Sequence, residues 1–385
     1  MDINTLQTRF PEKQLLWNQL HDLANRKLWH QLTVLLQEIL SQSFMQSFEA
    51  SLLLHKSALK PIETNISPVK LSNIVVSISK RAPSPASSIS FITPYVHILR
   101  LYPVSYCFIL LNLAHFMIAK QYSSSMESEP LPDDEIVRKS PREIVELVTE
   151  VINKESLSAS SDNNFLMAEY HHVYSLLYKA TDYSKFVNHF LDYLSYVEDV
   201  TKDYPNPALA AMDLAIASLC APTVLNISDI LVHPFIDKEL SSPEVKGLLK
   251  IFNSGDVSGY EYLVQKEKAL SVDNRLVSCA EVLSEKVRLL GLMELAFSKP
   301  TTMRSVSFDE ISTRCLVDIN RVELLLIKAM SLDLLRGAID GVARQVTVDY
   351  VRPRALGFDQ LETLAQHLLT WADTVEKAVE KATCE

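Results

Sequence analysis

Glycine is nearly missing from this chain, and where it falls matters more than how little there is: seven residues in 385, with none before Gly247. Glycine enters left-handed backbone at no steric cost, so tight hairpins and many helix stops draw on it. A chain that runs so far without one should be mainly helical, with few left-handed turns. The scarcity also removes the loops that cradle phosphates. No GxxxxGK[ST] and no GxGxxG occurs, and Gly255/Gly259 and Gly337/Gly341 have neither the spacing nor the lysine.

Apolar residues make up 48% of the chain, and its length fits two or three domains around a large core. The formal charge of −10 argues against the broad basic face that nucleic acid requires. Five cysteines (Cys107, Cys220, Cys279, Cys315, Cys384) are scattered without a CxxC, which fits a reducing compartment, cytoplasm or nucleus. The opening MDINTLQTRFPEK is polar and does not read as a signal peptide.

From Pro11 to Phe44, leucines at helical spacing predict two helices folded back on each other, with Trp17 and Trp29 in the gap between them. Further helices are expected at Arg142–Asn153, Phe165–Thr181, Tyr183–Asp199 and Ala208–Leu219. Ser140-Pro141-Arg142-Glu143 is a start signal, with proline at the first helical position and glutamate at the third. Residues 120–141 and 153–164 are polar and serine-rich and read as loops. Paired helices with short polar joints suggest an α-solenoid of diverged repeats. Asn274–Phe297 reads as one long amphipathic helix.

Ser307 to Arg354 has the pattern of a winged helix: two helices, then a two-stranded hairpin. Ser307 with Glu310, and Asn320 with Glu323, fit capping boxes. Gly337 stands where the second helix needs a left-handed residue to stop. Ala338–Asp340 and Val346–Val348 read as strands around a turn at Gly341. In an acidic protein such a hairpin suits strand pairing with another protein, with Val346 and Val348 on an exposed strand edge. The alternative is nucleic acid. The second helix is charge-neutral and very apolar, but Arg336, Arg344, Arg352 and Arg354 near the wing could meet phosphate.

Along Asp359–Ala382, residues Leu361, Ala365, Leu368, Ala372, Val375, Val379 and Ala382 recur in steps of four and three. That is a heptad seam about 33 Å long. It either covers its own domain or joins helices of other chains in a bundle. The bundle reading enlists Leu361, Leu368, Trp371, Val375 and Val379.

Tyr102 to Ala119 contains no charged residue. As helix it spans about 27 Å, against roughly 30 Å of bilayer hydrocarbon. Asn112 and His115 in its middle and Pro103 at its start argue for a buried core helix over a membrane segment. A third alternative is a stretch foreign to the rest of the chain.

Catalytic constellations are not evident. His171 and His172 beside Glu169 form the densest metal-capable group, but adjacent helical residues point about 100° apart and cannot share one ion as an i, i+4 pair can. Core or solvated histidines are the expectation, and no metal or cofactor is expected. No HExxH and no GxSxG occurs, and no cysteine has a recognisable nucleophile neighbourhood. His233-Pro234 reads as a helix boundary.

Helical repeats, a winged helix and a terminal helix together resemble the PCI-domain family, whose members build the proteasome lid, the signalosome and a translation initiation factor. The strings that carry the resemblance are LWHQLT (Leu28–Thr33), LVHPFI (Leu231–Ile236), FNSG (Phe252–Gly255), LMELAFSKP (Leu292–Pro300), VELLLIKAM (Val322–Met330), GAIDGV (Gly337–Val342) and VRPRAL (Val351–Leu356). They are most similar to a lid subunit of the proteasome, while residues 90–125 depart from that pattern. The resemblance implies N-terminal repeats over 1–175 and a PCI domain over 176–356, whose winged helix occupies 300–356. A bundle helix over 357–385 would complete the chain. It also implies a non-catalytic scaffold that supports ubiquitin-dependent degradation. Its partners would be other lid PCI subunits, the lid helical bundle and a nearby ubiquitin receptor, with no nucleic acid and no membrane. Scaffolds of the other two PCI assemblies, and a nucleic-acid-binding winged helix, are the alternatives.

Overall fold

The computed structural model describes residues 4–122, 132–159, 163–197, 199–204, 206–266, 272–299, 305–352 and 358–383. The chain divides into two compact units, residues 1–181 with 188–198, and residues 182–187 with 199–385.

The first unit is helical throughout its described residues. Four of its α-helices open on proline: Pro68–Ser79, Pro85–Ile98, Pro103–Tyr122 and Pro141–Lys154. Proline suits that position because the first N–H of a helix has no partner anyway and the ring presets φ. The start signal at Ser140 forms in full. Its hydroxyl accepts from the Glu143 N–H at 3.3 Å, and the Glu143 carboxylate accepts from the Ser140 N–H at 2.9 Å. The N-terminal pair is Gln14–Asn25 and Trp29–Ser41; Trp17 is fully buried, whereas Trp29 is only partly covered.

The uncharged stretch forms Pro103–Tyr122, the helix on which this unit is built. It packs against Pro85–Ile98, Pro141–Lys154 and Asn164–Tyr178, and Cys107, Ile109, Leu111, Leu113 and Ala114 are completely buried. Among the described residues it is the one helix long and apolar enough to cross a membrane. A helix that is apolar all round suits a protein interior equally well, and here four neighbours cover it, Pro68–Ser79 being the fourth. Asn112 is buried too, its side-chain amide donating to the Phe108 carbonyl at 3.0 Å.

The second unit includes helices Pro207–Cys220, Pro234–Glu239 and Pro243–Ser254 and the 10-residue Val257–Lys266. The expected long helix from Asn274 is interrupted at Cys279, giving Asn274–Ser278 and Ala280–Ser298. Gly255 stops Pro243–Ser254 with φ +62°, and a Cβ there would lie 2.8 Å from the Leu290 carbonyl oxygen. Glycine thus lets the end of one helix touch the backbone of another. Lys286, buried, donates to the carbonyls of Ser218, Leu219 and Ala221 at 2.7, 3.3 and 2.9 Å. Those oxygens lie at the C-terminal end of Pro207–Cys220, where a helix has unpaired acceptors and favours a cation.

The winged helix follows: β1 (Ser305–Ser307), helices Phe308–Cys315 and Ile319–Ser331, β2 (Leu335–Asp340) and β3 (Gln345–Val351). Sheet order is β1-β3-β2, antiparallel throughout. This corrects the hairpin reading. β1, hidden in a three-residue Ser-Val-Ser, takes the free side of β3 and makes it the central strand. Val346 and Val348 are therefore not on an exposed edge; alternation along the strand turns them into the core, at 1% and 4% exposure. The outer strands are β1 and β2.

The capping expectations are corrected in part. Ser307 accepts from the Glu310 N–H, but the Glu310 carboxylate pairs with Lys299 at 3.1 Å instead of closing a box. The next helix is led by Asp318, without a side-chain cap, so Asn320 and Glu323 form none. It ends at Ser331, and the left-handed residue is Asp333. Gly337 lies within β2 beside a register shift, where a Cβ would sit 2.0 Å from the Thr347 oxygen. Its absent side chain lets two strands approach; it does not stop a helix.

Left-handed backbone is also more common than glycine scarcity predicts. Lys27, Ser156, Leu316, Asp333 and Arg344 all have positive φ. Three of them end helices as glycine does at Gly255. Leu28 donates to the Leu23 carbonyl, Val317 to Ser312 and Leu334 to Ala329, each N–H reaching back five residues across the left-handed one. The caps exist, but side-chain-bearing residues fill them.

Candidate interaction surfaces

The terminal helix Phe358–Thr383 carries the heptad seam. Leu368, Trp371, Val375 and Val379 are 56%, 68%, 44% and 56% exposed, and Leu369 is 67% exposed. Leu361 lies on the same helix, its side chain outside the described residues. Among those residues no other element packs extensively against this helix. A set of large apolar side chains left in water on one helix marks a surface shaped for a partner.

The winged helix adds a second apolar surface. Val322, Leu325, Leu326 and Ala329 of Ile319–Ser331 face its core, while Leu324 and Ile327 are 67% and 52% exposed on the opposite side. Exposed Leu316 and Ile319 line an open hollow with Val317, Asp318 and Arg344. Val342 stands bare at the wing tip. Periodicity within the helix could have exposed this surface, because leucines and isoleucines fall on more than one face. The basic cluster is weaker than it looked: Arg336 pairs with Asp333 at 2.7 Å and covers the Tyr350 ring at 5.0 Å, and Arg354 lies outside the described residues. A helix with leucine and isoleucine on its outer face is poorly equipped for phosphate.

Among the described residues, three of the four thiols are poor candidates for nucleophile chemistry. Burial pushes Cys107 and Cys220 up to about 12 and Cys315 to about 11, leaving each protonated and inert. Cys384 lies outside the described residues. His233 caps Pro234–Glu239, its ring nitrogen accepting from the Phe235 N–H at 3.2 Å, as a boundary residue should.

The adjacent histidines separate as their helical phase requires, but each finds company from other elements. His172 joins Glu169 and His115, the last from Pro103–Tyr122. His171 joins His189 and Asp192 from helix Tyr183–Tyr196, its Nδ1 lying 3.0 Å from the His189 Nδ1. Burial opposes charge on Glu169, yet His115, Lys80 and His172 hold its carboxyl down to about 2. Spacing along one helix could not reveal these groups. The available signal was His115, a polar residue midway along an uncharged run, which had to meet something polar.

Comparison with known families divides the chain later than the two compact units do, between residues 252 and 258. Residues 16–252, uncharged stretch included, match the family described as PSD13 N-terminal repeats, and 258–349 match the PCI domain. This chain belongs to the PSD13 family of PCI-domain proteins. It is 29% identical to the 26S proteasome non-ATPase regulatory subunit 13 homolog B of Arabidopsis thaliana, over 95% of this chain and 92% of that one. It is 26% identical to the 26S proteasome non-ATPase regulatory subunit 13 of Dictyostelium discoideum, over 94% and 91%. The eukaryotic translation initiation factor 3 subunit M of Nematostella vectensis is 28% identical over only 43% of this chain and 42% of that one. Full-length similarity thus lies with the PSD13 proteins, and similarity to the initiation factor is partial.

Proposed function

We propose that this chain is a non-catalytic structural subunit of the proteasome regulatory particle lid, acting in cytoplasm and nucleus to support ubiquitin-dependent protein degradation. Its winged helix contacts other PCI subunits through the outer face of Ile319–Ser331 and the outer strands of the sheet. Its terminal helix enters the lid helical bundle through Leu361, Leu368, Trp371, Val375 and Val379. A neighbouring ubiquitin receptor is one of the subunits it helps to seat. The observation that carries this reading is the bare stripe on Phe358–Thr383. Full burial of such a side chain contributes about 1.5–3 kcal/mol, and ordering and lost motion on association offset much of the sum. Burying the stripe on its own unit would leave nothing for a partner; as it stands, the surface is available.

The double substitution Leu368→Asp with Val375→Asp tests the proposal. Both positions are exposed in the isolated chain, so the variant should fold with an unchanged circular dichroism spectrum. Expressed as a tagged copy in cells, it should fail to co-purify with the large particle. Normal incorporation of the folded variant would remove the terminal helix from the assembly role.

A further inference from the structure

We infer that His115, Glu169 and His172 form a binding site for one divalent transition-metal ion, Zn2+ by ligand chemistry, within the helical-repeat unit. The three side chains come from two packed helices, Pro103–Tyr122 and Asn164–Tyr178, and one donor atom from each lies within 4.8 Å of the others. His115 Nδ1 is 3.9 Å from Glu169 Oε1, too far for a hydrogen bond. Donors on a tetrahedral ion with bonds of about 2.0–2.1 Å stand about 3.3 Å apart, so small side-chain rotations would close the set.

The carboxylate is the second, independent observation. Glu169 is 8% exposed, and its Oε1 takes no hydrogen bond. His115 Nδ1 is likewise buried without a hydrogen-bond partner. Lys80 exerts an electrostatic pull on Glu169 but leaves that oxygen unbonded. A buried carboxylate oxygen without a donor is costly, and a cation held between it and the imidazoles removes the cost. Two imidazoles and one carboxylate favour zinc-like ions; Mg2+ and Ca2+ prefer all-oxygen sites. The His115 side chain is 26% exposed and gives an ion a way in. A bound ion would pin the central helix to Asn164–Tyr178, a structural cross-link that leaves the proposed assembly surfaces untouched.

The test uses the full chain, stripped with chelator and titrated with Zn2+ against a chromophoric competitor. One equivalent should bind more tightly than micromolar, and the melting temperature should rise with Zn2+ but not with Mg2+. Glu169→Gln should weaken binding at least tenfold, His115→Gln should abolish it, and His30→Gln should leave it intact. Should the variants fold poorly, the wild type supplies its own readout. Carbethoxylation of His115, mapped by mass spectrometry, should fall at one equivalent of Zn2+. Absence of stoichiometric binding would overturn the assignment, and so would binding or protection confined to His171 and His189.

Discussion

Two helices of this molecule are rich in large apolar side chains and meet opposite fates. Pro103–Tyr122 has no charged residue through Ala119 and is enclosed by four helices of its own unit. Phe358–Thr383 carries Asp359, Glu362, Asp373, Glu376, Lys377, Glu380 and Lys381, yet keeps Leu368, Leu369 and Trp371 in water. The more hydrophobic helix is thus the hidden one. What separates them is how hydrophobicity is distributed around the helix, not how much of it there is. A helix apolar on every side must be surrounded before the chain is stable. A helix with one apolar stripe can stay solvated along its polar face and hold the stripe for another molecule.

The sharpest way to break that contrast is to truncate one leucine on each helix. Leu111→Ala removes a fully buried side chain, and such cavities cost about 2–5 kcal/mol. Leu368→Ala in the free chain should change stability by less than about 0.5 kcal/mol, as exposed sites do. Urea unfolding of both variants measures the difference. Equal losses would mean that the terminal helix is packed in solution, and the comparison would fail.

Acid offers an intermediate test. Burial, with Lys60 and Lys56 nearby, pushes His55 down from 6.5 to about 4 in the folded first unit. The ring meets the Tyr95 hydroxyl and packs edge-on to Phe91, both on a helix that covers Pro103–Tyr122. The unfolded chain takes up this proton near 6.5 and the folded chain only near 4, so between those values the unfolded state binds more protons. Stability therefore falls as pH drops through that window, by about 1–3 kcal/mol. Glu169, whose folded pKa is lowered, adds stability above its ordinary range that is lost as pH falls further toward about 2. Hydrogen exchange at about pH 4.5 should speed in Pro85–Ile98 and leave Phe358–Thr383 unchanged, and His55→Gln should flatten the first response. Equal acceleration in both helices would erase the distinction.

Much of this contrast was legible in the sequence. Uncharged Tyr102–Ala119 and the seam from Leu361 to Ala382 are local patterns, and each states whether one face or all faces are apolar. The start signal at Ser140 is equally local and formed as read. What failed to show depends on which segments meet. β1 is three unremarkable residues, and only its pairing with β3 moves Val346 and Val348 from edge to core. Nor does spacing along Asn164–Tyr178 reveal that His115 stands beside Glu169 and His172. Composition misled in one respect as well: glycine content says how readily left-handed turns form, not how many the chain adopts.

That last point yields a small effect of opposite sign. Lys27 has φ 57° between Gln14–Asn25 and Trp29–Ser41, with the Leu28 N–H bonded to Leu23 and its own N–H to Ala24, so it occupies the position where helix stops favour glycine. A side chain in left-handed backbone costs about 1–2 kcal/mol, while glycine costs about 0.5–1 kcal/mol through the freedom it has when unfolded. Lys27→Gly should therefore stabilise the free chain by up to about 1 kcal/mol, read as a higher urea midpoint at constant slope. Gly255→Ala is the mirror experiment, since its Cβ would meet the Leu290 carbonyl, and it should lower the midpoint. A loss at Lys27 would show that the lysine makes an interaction worth more than the strain, and that the glycine-free stretch before Gly247 filled its turns by selection for contacts and not by tolerance.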